Sequence, residues 1–259
     1  MAPKRKAAAT AETEELAKKY KSAMDDIATE YLCPITAELP LDPVTAEDGR
    51  IYERQAIEEH FAARAANGDP IRSPMTNEPM GRRLLPATQV KNTIEKLVRS
   101  GAIGGDKAEQ WLTRLKEEEL VDKHRQAAER GDTFAMSLLG NRYYKGKGVQ
   151  QNFTTAFGWF AKGAEADDVG CLSWLAYLNM EGEGTSKQEV HSISLMTQAA
   201  LMGSKNAAWN LGTWYYEGKL GLPVDKKRAK YWYRKVATGR VNDASQADME
   251  KAAARVAEP

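Results

Sequence analysis

Residues 127–236 repeat themselves at a fixed interval, and that periodicity limits the fold more than any other feature of the chain. Ala127-Ala128, Gly163-Ala164 and Ala199-Ala200 follow one another at 36 residues (127 to 163 to 199). Leu139-Gly140, Leu175-Ala176 and Leu211-Gly212 keep the same spacing, as do Tyr143-Tyr144 and Tyr215-Tyr216 with Asn179-Met180 between them. Gly146, Gly182 and Gly218 each close the first helical run of a unit. Ala156…Trp159 returns as Ala229…Trp232, displaced by one residue after a short insertion. A period of this length with paired helical runs predicts stacked helix–turn–helix units. Small residues let two helices approach, while Leu, Tyr and Trp fill the gaps. One unit cannot bury its apolar face alone, so about three are needed.

With 259 residues, 42% apolar and 28% charged, the composition is that of an ordinary globular chain with room for a core. A formal net charge of +1 gives no strong attraction to nucleic acid or to a membrane surface. The apolar runs fall far short of the roughly 18 residues of a spanning helix, and no secretory signal is visible. Two distant cysteines, Cys33 and Cys171, rule out a disulfide framework and fit a reducing compartment, cytoplasmic or nuclear. Residues 1–26 read as a mixed-charge, partly disordered and partly helical tail. Pro3-Lys4-Arg5-Lys6 is a short candidate nuclear import patch. Gly101 to Gly105 reads as a hinge, and residues 101–126 as a linker and connecting helix. That helix, from Asp106 to Glu129, carries a stripe of Trp111, Leu112, Leu115 and Leu120, which either braces two domains or pairs with a second copy. Residues 127–238 hold the repeats, and 239–259 a C-terminal helix or tail.

Residues 27–100 have a different texture. Asp48-Gly49 is a hairpin signal between Val44-Thr45-Ala46 and Ile51-Tyr52. Glu53 to Ala66 reads as a helix with Ile57 and Phe61 on one face, stopped by Asn67-Gly68. A proline-rich, loop-rich stretch runs from Asp69 to Pro86, and a second helix covers about Thr88 to Arg99. In order, the segment contains Tyr31-Leu32-Cys33-Pro34-Ile35-Thr36, Asp42-Pro43-Val44, Asp48-Gly49-Arg50-Ile51-Tyr52-Glu53-Arg54, Ala56-Ile57-Glu58-Glu59-His60-Phe61, Ser73-Pro74-Met75-Thr76, Leu84-Leu85-Pro86 and Val90-Lys91-Asn92-Thr93-Ile94. Over its full length this order resembles the U-box family. The fold class implied is α+β: a small hairpin or sheet, a central helix and a C-terminal helix, followed by an all-α solenoid of about three helix–turn–helix repeats.

A RING domain of this size holds two zinc ions. This segment offers one Cys and one His, Cys33 and His60, against about four ligands for a structural zinc. No metal and no cofactor is therefore expected. Polar side chains must brace the loops instead, and the candidates are Asp42, Thr45, Asp48, Tyr52, Glu53, Arg54, Ser73 and Thr76, since buried polar groups persist only when paired. Cys33 has no cationic neighbour in sequence to lower its pKa and reads as a small buried residue.

The resemblance implies a RING-type ubiquitin ligase that forms no covalent intermediate. Its first loop, central helix and second loop would form a shallow groove for a ubiquitin-conjugating enzyme carrying ubiquitin. The matching positions are Ile35 and Ala37, His60, and Arg72 and Pro74, with Asn77 as the hydrogen-bond donor to enzyme and ubiquitin. Ala37 replaces a larger apolar residue, Asn77 a longer donor, and Ala87 an Asn that commonly follows Leu-Pro. These departures motivate the alternative of a non-enzymatic adaptor or scaffold whose weakened U-box only binds other proteins.

The run Ala128…Gly131…Ala135…Leu139-Gly140…Tyr143…Gly146…Gly148-Val149…Ala156…Trp159 resembles Sel1-like repeats, relatives of tetratricopeptide repeats. The second unit is degenerate, with Ser194-Leu195-Met196 where the others have an aromatic turn. Such arrays present a concave surface made by their first helices. Spacing from the Leu-Gly pair turns Ser137, Asn141, Tyr144, Ser173, Tyr177, Trp209, Thr213 and Tyr216 toward it, as contacts for a protein client or a chaperone or as packing between repeats. Nucleic acid and membrane are not expected partners, and a homodimer remains an open alternative.

Overall fold

In a computed structural model, residues 15, 16, 19, 20, 22–24, 26–239 and 244–257 are described. The Lys4–Lys6 patch lies outside them. The chain divides into two units, Met1–Glu117 and Glu118–Pro259.

The first unit is built on three short strands. β1 (Pro43–Thr45) and β2 (Ile51–Glu53) form the hairpin that Asp48-Gly49 predicts, with Thr45 opposite Ile51 and Pro43 opposite Glu53. Gly49 supplies the positive φ of 75° at the turn. α1 (Arg54–Ala66) follows β2 directly and buries Ala56, Ile57 and Phe61. The loop-rich stretch ends in a third strand that the sequence did not announce: β3 (Leu85–Pro86) pairs antiparallel with β1, giving the order β2-β1-β3. Two residues carry no period, and Pro86 can sit there because its missing N–H is tolerated at a sheet edge. α2 (Thr88–Arg99) begins at Ala87, which has no side chain to cap it; an Asn there would offer an acceptor worth about 1 kcal/mol.

Gly101 to Gly105, expected as a hinge, is a turn fixed by its middle. Ile103 is buried, and its N–H donates to the Leu97 carbonyl. α3 (Gly105–Glu129) starts there. Ala108 and Trp111 complete a core with Ala28, Leu39, Leu41, Ile94 and Val98, so α3 up to Glu117 belongs to the first unit. Truncating a fully buried Trp such as Trp111 costs about 3–5 kcal/mol. The expected stripe needs one correction: Leu120 is exposed, and its neighbour Val121 is buried with Ala128, Ala135, Met136 and Leu139 of the second unit.

Among the described residues the second unit holds the end of α3, three helix pairs and a further helix: α4 (Thr133–Lys145) with α5 (Phe153–Glu165), α6 (Val169–Glu181) with α7 (Glu189–Leu201), α8 (Lys205–Glu217) with α9 (Lys226–Ala237), then α10 (Gln246–Ala257). Each first helix opens on a capping acceptor, Asp132, Asp168 or Ser204, and closes on Gly146, Gly182 or Gly218 in the left-handed conformation. Gly140 and Gly212 leave room for a ring: a Cβ there would lie 2.7 Å from the Phe160 ring and 2.6 Å from the Tyr233 ring. In the degenerate pair the equivalent positions hold Ala176 and Met196, both buried, and Ser192 Oγ donates to the Ala176 carbonyl at 2.7 Å. The pair still packs. Trp214 and Trp232 are core; Trp159, Trp174 and Trp209 are only half-buried against it.

Candidate functional site

Two loops of the first unit have the same construction. Cys33-Pro34-Ile35-Thr36-Ala37-Glu38 and Ser73-Pro74-Met75-Thr76-Asn77-Glu78 align residue for residue. In the first, Cys33 N–H donates to the Glu38 carbonyl (2.8 Å), and Ala37 N–H donates to the Cys33 carbonyl (2.8 Å). In the second, Ser73 N–H donates to the Glu78 carbonyl (2.9 Å) and Asn77 N–H to the Ser73 carbonyl (3.0 Å). Thr36 and Thr76 each accept from the amide two residues on, at 3.3 Å. Both loops then turn through a left-handed residue, Ala37 at φ 56° and Asn77 at φ 59°. Asn enters that region readily and Ala does so at a cost of about 1 kcal/mol. Asn77 thus has a backbone reason for its identity, and Ala37 has none.

This construction lifts one apolar side chain from each loop. Ile35 is 40% exposed and Met75 49%. Met75 was missed in the sequence, where Pro74 was chosen for the second loop. The alignment of the two loops would have found it, since Met75 stands where Ile35 stands and Pro74 matches Pro34. Pro74 is half-buried, whereas Ala37 and Asn77 are exposed.

Behind the loops, a set of side-chain hydrogen bonds joins the hairpin to the second loop. Asp48 Oδ2 accepts from Tyr52 Oη (2.7 Å) and from Ser73 Oγ (2.6 Å), and Asp48 Oδ1 accepts from Arg50 N–H (3.1 Å). Ser73 Oγ accepts in turn from the amides of Met75 and Thr76. Burial alone would raise the Asp48 pKa, but the bonds from Ser73, Tyr52 and Arg50 outweigh it and hold the carboxyl below its usual value. Burial, then the hydrogen bond to Asp48, pushes Tyr52 up to about 12. Glu53, 8% exposed, accepts from the amides of Leu41 (2.8 Å) and Asp42 (3.1 Å), and Asp42 Oδ2 accepts from Arg54 Nε (2.6 Å). Of the candidate braces, Asp42, Asp48, Tyr52, Glu53, Arg54 and Ser73 make such bonds, and Thr76 bonds within its own loop. Glu47 was not anticipated; its carboxylate accepts from the amides of Gly81 (2.7 Å) and Arg83 (3.2 Å). Among the described residues no group of three or more His, Cys, Asp or Glu could hold a metal ion.

His60 and Arg72 are drawn into the frame. His60 Nε2 lies 2.9 Å from the Arg72 carbonyl, and Arg72 Nη1 donates to the Asn77 carbonyl (2.8 Å) in its own loop. Arg72 was expected to reach a partner's carbonyls; here part of its donor set holds the second loop closed. Both cysteines are fully buried, and burial pushes the Cys171 thiol up to about 12.

The eight residues expected to line the repeats' inner face are all half-buried. Several spend their polar atoms inside the array. Tyr144 and Tyr177 pair through their hydroxyls at 3.4 Å, Ser173 Oγ donates to the Val169 carbonyl (2.9 Å), and Thr213 Oγ1 lies 3.1 Å from Tyr233 Oη. Tyr144 and Tyr177 also pack on Trp174. Trp209 and Tyr216 are covered by the chain's own last helix: Lys251 Nζ lies 5.1 Å from the Trp209 ring and the Arg255 guanidinium 5.3 Å from the Tyr216 ring. Ser137 and Asn141 lie on α4.

Residues 27–101 match the family model described as "U-box domain", and residues 133–168, 171–204 and 205–239 match the one described as "Sel1 repeat". "U-box domain-containing protein 43" of Arabidopsis thaliana is 35% identical over 95 residues, which are 36% of this chain and 12% of that protein. "Putative E3 ubiquitin-protein ligase LIN-1" of Lotus japonicus is 37% identical over 71 residues, 27% of this chain and 4% of that protein. The chain therefore spans a small fraction of the length of these relatives. Among solved structures, a Sel1 repeat protein from Oxalobacter formigenes is similar over 53% of this chain and 96% of its own, with 32% identity and a TM-score of 0.43.

Proposed function

We propose, for a chain that carries a U-box domain followed by three Sel1 repeats, that it is a ubiquitin ligase of the RING type whose repeats hold the protein to be modified. The observation that carries this reading is the pair of exposed apolar tips, Ile35 and Met75, on two matched loops pinned from behind. A rigid pair of apolar tips suits a folded partner, here a ubiquitin-conjugating enzyme, because little conformational entropy remains to be lost on binding. Pro74, Ala37, His60 and Arg72 border the contact, and the exposed amide of Asn77 is the donor available to enzyme and ubiquitin together.

Transfer then needs no group on this chain to react. The substrate lysine amine attacks the thioester carbonyl of the conjugating enzyme, the thiolate leaves, and an isopeptide bond forms. The ligase contributes position: it holds the thioester where attack is productive. Full burial of Cys33 and Cys171 supports this route over one through a ubiquitin thioester on the ligase itself, which needs an accessible thiol.

The test is discharge of a panel of charged conjugating enzymes by the full chain. At least one member should be discharged, with Ile35→Ala and Met75→Ala each lowering the rate about tenfold or more. No discharge across the panel overturns the reading. Tight binding of a conjugating enzyme without discharge would instead identify an adaptor.

A further inference from the structure

We propose that Arg114 is a positioning residue for the first loop, so that α3, beyond the matched U-box stretch, sets how Ile35 is presented. Its role in transfer rests on the ligase reading above. The Arg114 guanidinium reaches three acceptors. Nη1 lies 2.9 Å from Glu38 Oε2 and 3.1 Å from the Leu39 carbonyl, and Nη2 lies 2.7 Å from Glu53 Oε2. From the previous turn of the same helix, Trp111 Nε1–H donates to the Pro40 carbonyl at 3.2 Å. Glu53 takes the next two amides, those of Leu41 and Asp42.

Residues 38–42 are therefore held one after another, and all but the last two depend directly on α3. Glu38 is also the residue whose carbonyl closes the first loop onto Cys33. The two loops differ here. The second loop's exit is held by Glu47, from within the U-box stretch, through Gly81 and Arg83. Among the described residues, the first loop takes a cation supplied from beyond residue 101, Arg114. The planar guanidinium matters, because three acceptors in different directions need a fixed fork of donors that a lysine ammonium does not present. Losing the fork frees the base of the first loop, and the loop must then be ordered at the moment of binding.

The experiment uses the full chain with Arg114→Met, which keeps the stem, and Arg114→Lys, which keeps the charge. Two readouts are needed: amide hydrogen exchange, and steady-state discharge of a conjugating enzyme that the parent chain accepts. In both variants the Cys33 and Ala37 amides should exchange about tenfold faster, while those of Ser73 and Asn77 and of the repeats stay unchanged. KM for the charged enzyme should rise about five- to tenfold, with kcat within twofold. Unchanged exchange at Cys33 and Ala37 overturns the proposal. So does faster exchange spread evenly over residues 26–117, which would mark a merely structural residue, or loosened exchange with unchanged KM. Should the parent chain itself discharge nothing, the ligase reading fails, and the exchange data still decide whether Arg114 holds the loop.

Discussion

Asp48, Tyr52 and Ser73 join the hairpin turn to the second loop through one carboxylate, and two of them, Asp48 and Tyr52, titrate. The Asp48 pKa is lowered in the folded state, so its contribution is present above the unfolded value near 3.8 and is lost as pH falls through the folded one. Tyr52 has the opposite sign. Its pKa rises from 10.0 to about 12, so its contribution is whole below pH 10 and declines as pH climbs toward 12. That loss is on the order of 2 kcal/mol. Thermal unfolding of the first unit, followed between pH 8 and pH 12, should show a midpoint that drops above pH 10. In Tyr52→Phe that drop should shrink, in a protein already destabilised by about 1–3 kcal/mol at pH 8. An equal alkaline slope in both proteins would remove Tyr52 from the account. At this scale the sequence supplied the right brace types, but it assigned His60 and Arg72 wholly to a partner; in the folded chain they also hold each other and the second loop.

The helix pairs are set by matches between a small residue and a ring. Gly140 faces Phe160 and Gly212 faces Tyr233, while the corresponding positions of the middle pair hold Ala176 and Met196, both buried. Gly140→Ala should therefore cost about 1–3 kcal/mol, although Ala is the better helix former, because its Cβ would meet the Phe160 ring below 3 Å. The midpoint of repeat unfolding by circular dichroism measures it; a variant as stable as the parent would mean that the ring shifts freely. Asn179 marks the same degeneracy. It stands where the other units have Tyr, it is buried, and its Nδ2 donates back to the Leu175 carbonyl (2.8 Å) while Oδ1 has no protein partner. Helix order and the glycine stops were legible because they recur with the 36-residue period; the caps Asp132, Asp168 and Ser204 were not read from the sequence. β3 and the swap of Leu120 for Val121 were not, because a two-residue strand has no period and the buried side of a charged helix depends on what packs there.

At the scale of the whole molecule, the expectation that the first unit folds without metal has a direct check. A strong zinc chelator should leave the unfolding midpoint of the full chain unchanged within about a degree, since no folding energy resides in metal binding; a drop of many degrees would overturn the metal-free frame. The repeat surface is narrower than the sequence suggested. Two of the aromatic residues expected to meet a client, Trp209 and Tyr216, lie under Lys251 and Arg255. The sequence by itself determined the two kinds of domain, their order and the scarcity of metal ligands, because periodicity, turn chemistry and ligand counts are properties of the chain as written. Only the tertiary structure decided that Arg114 and Trp111 hold the first loop, and that His60 and Arg72 hold the second. Those facts depend on residues far apart in sequence meeting around shared acceptors, and no local pattern encodes such a meeting.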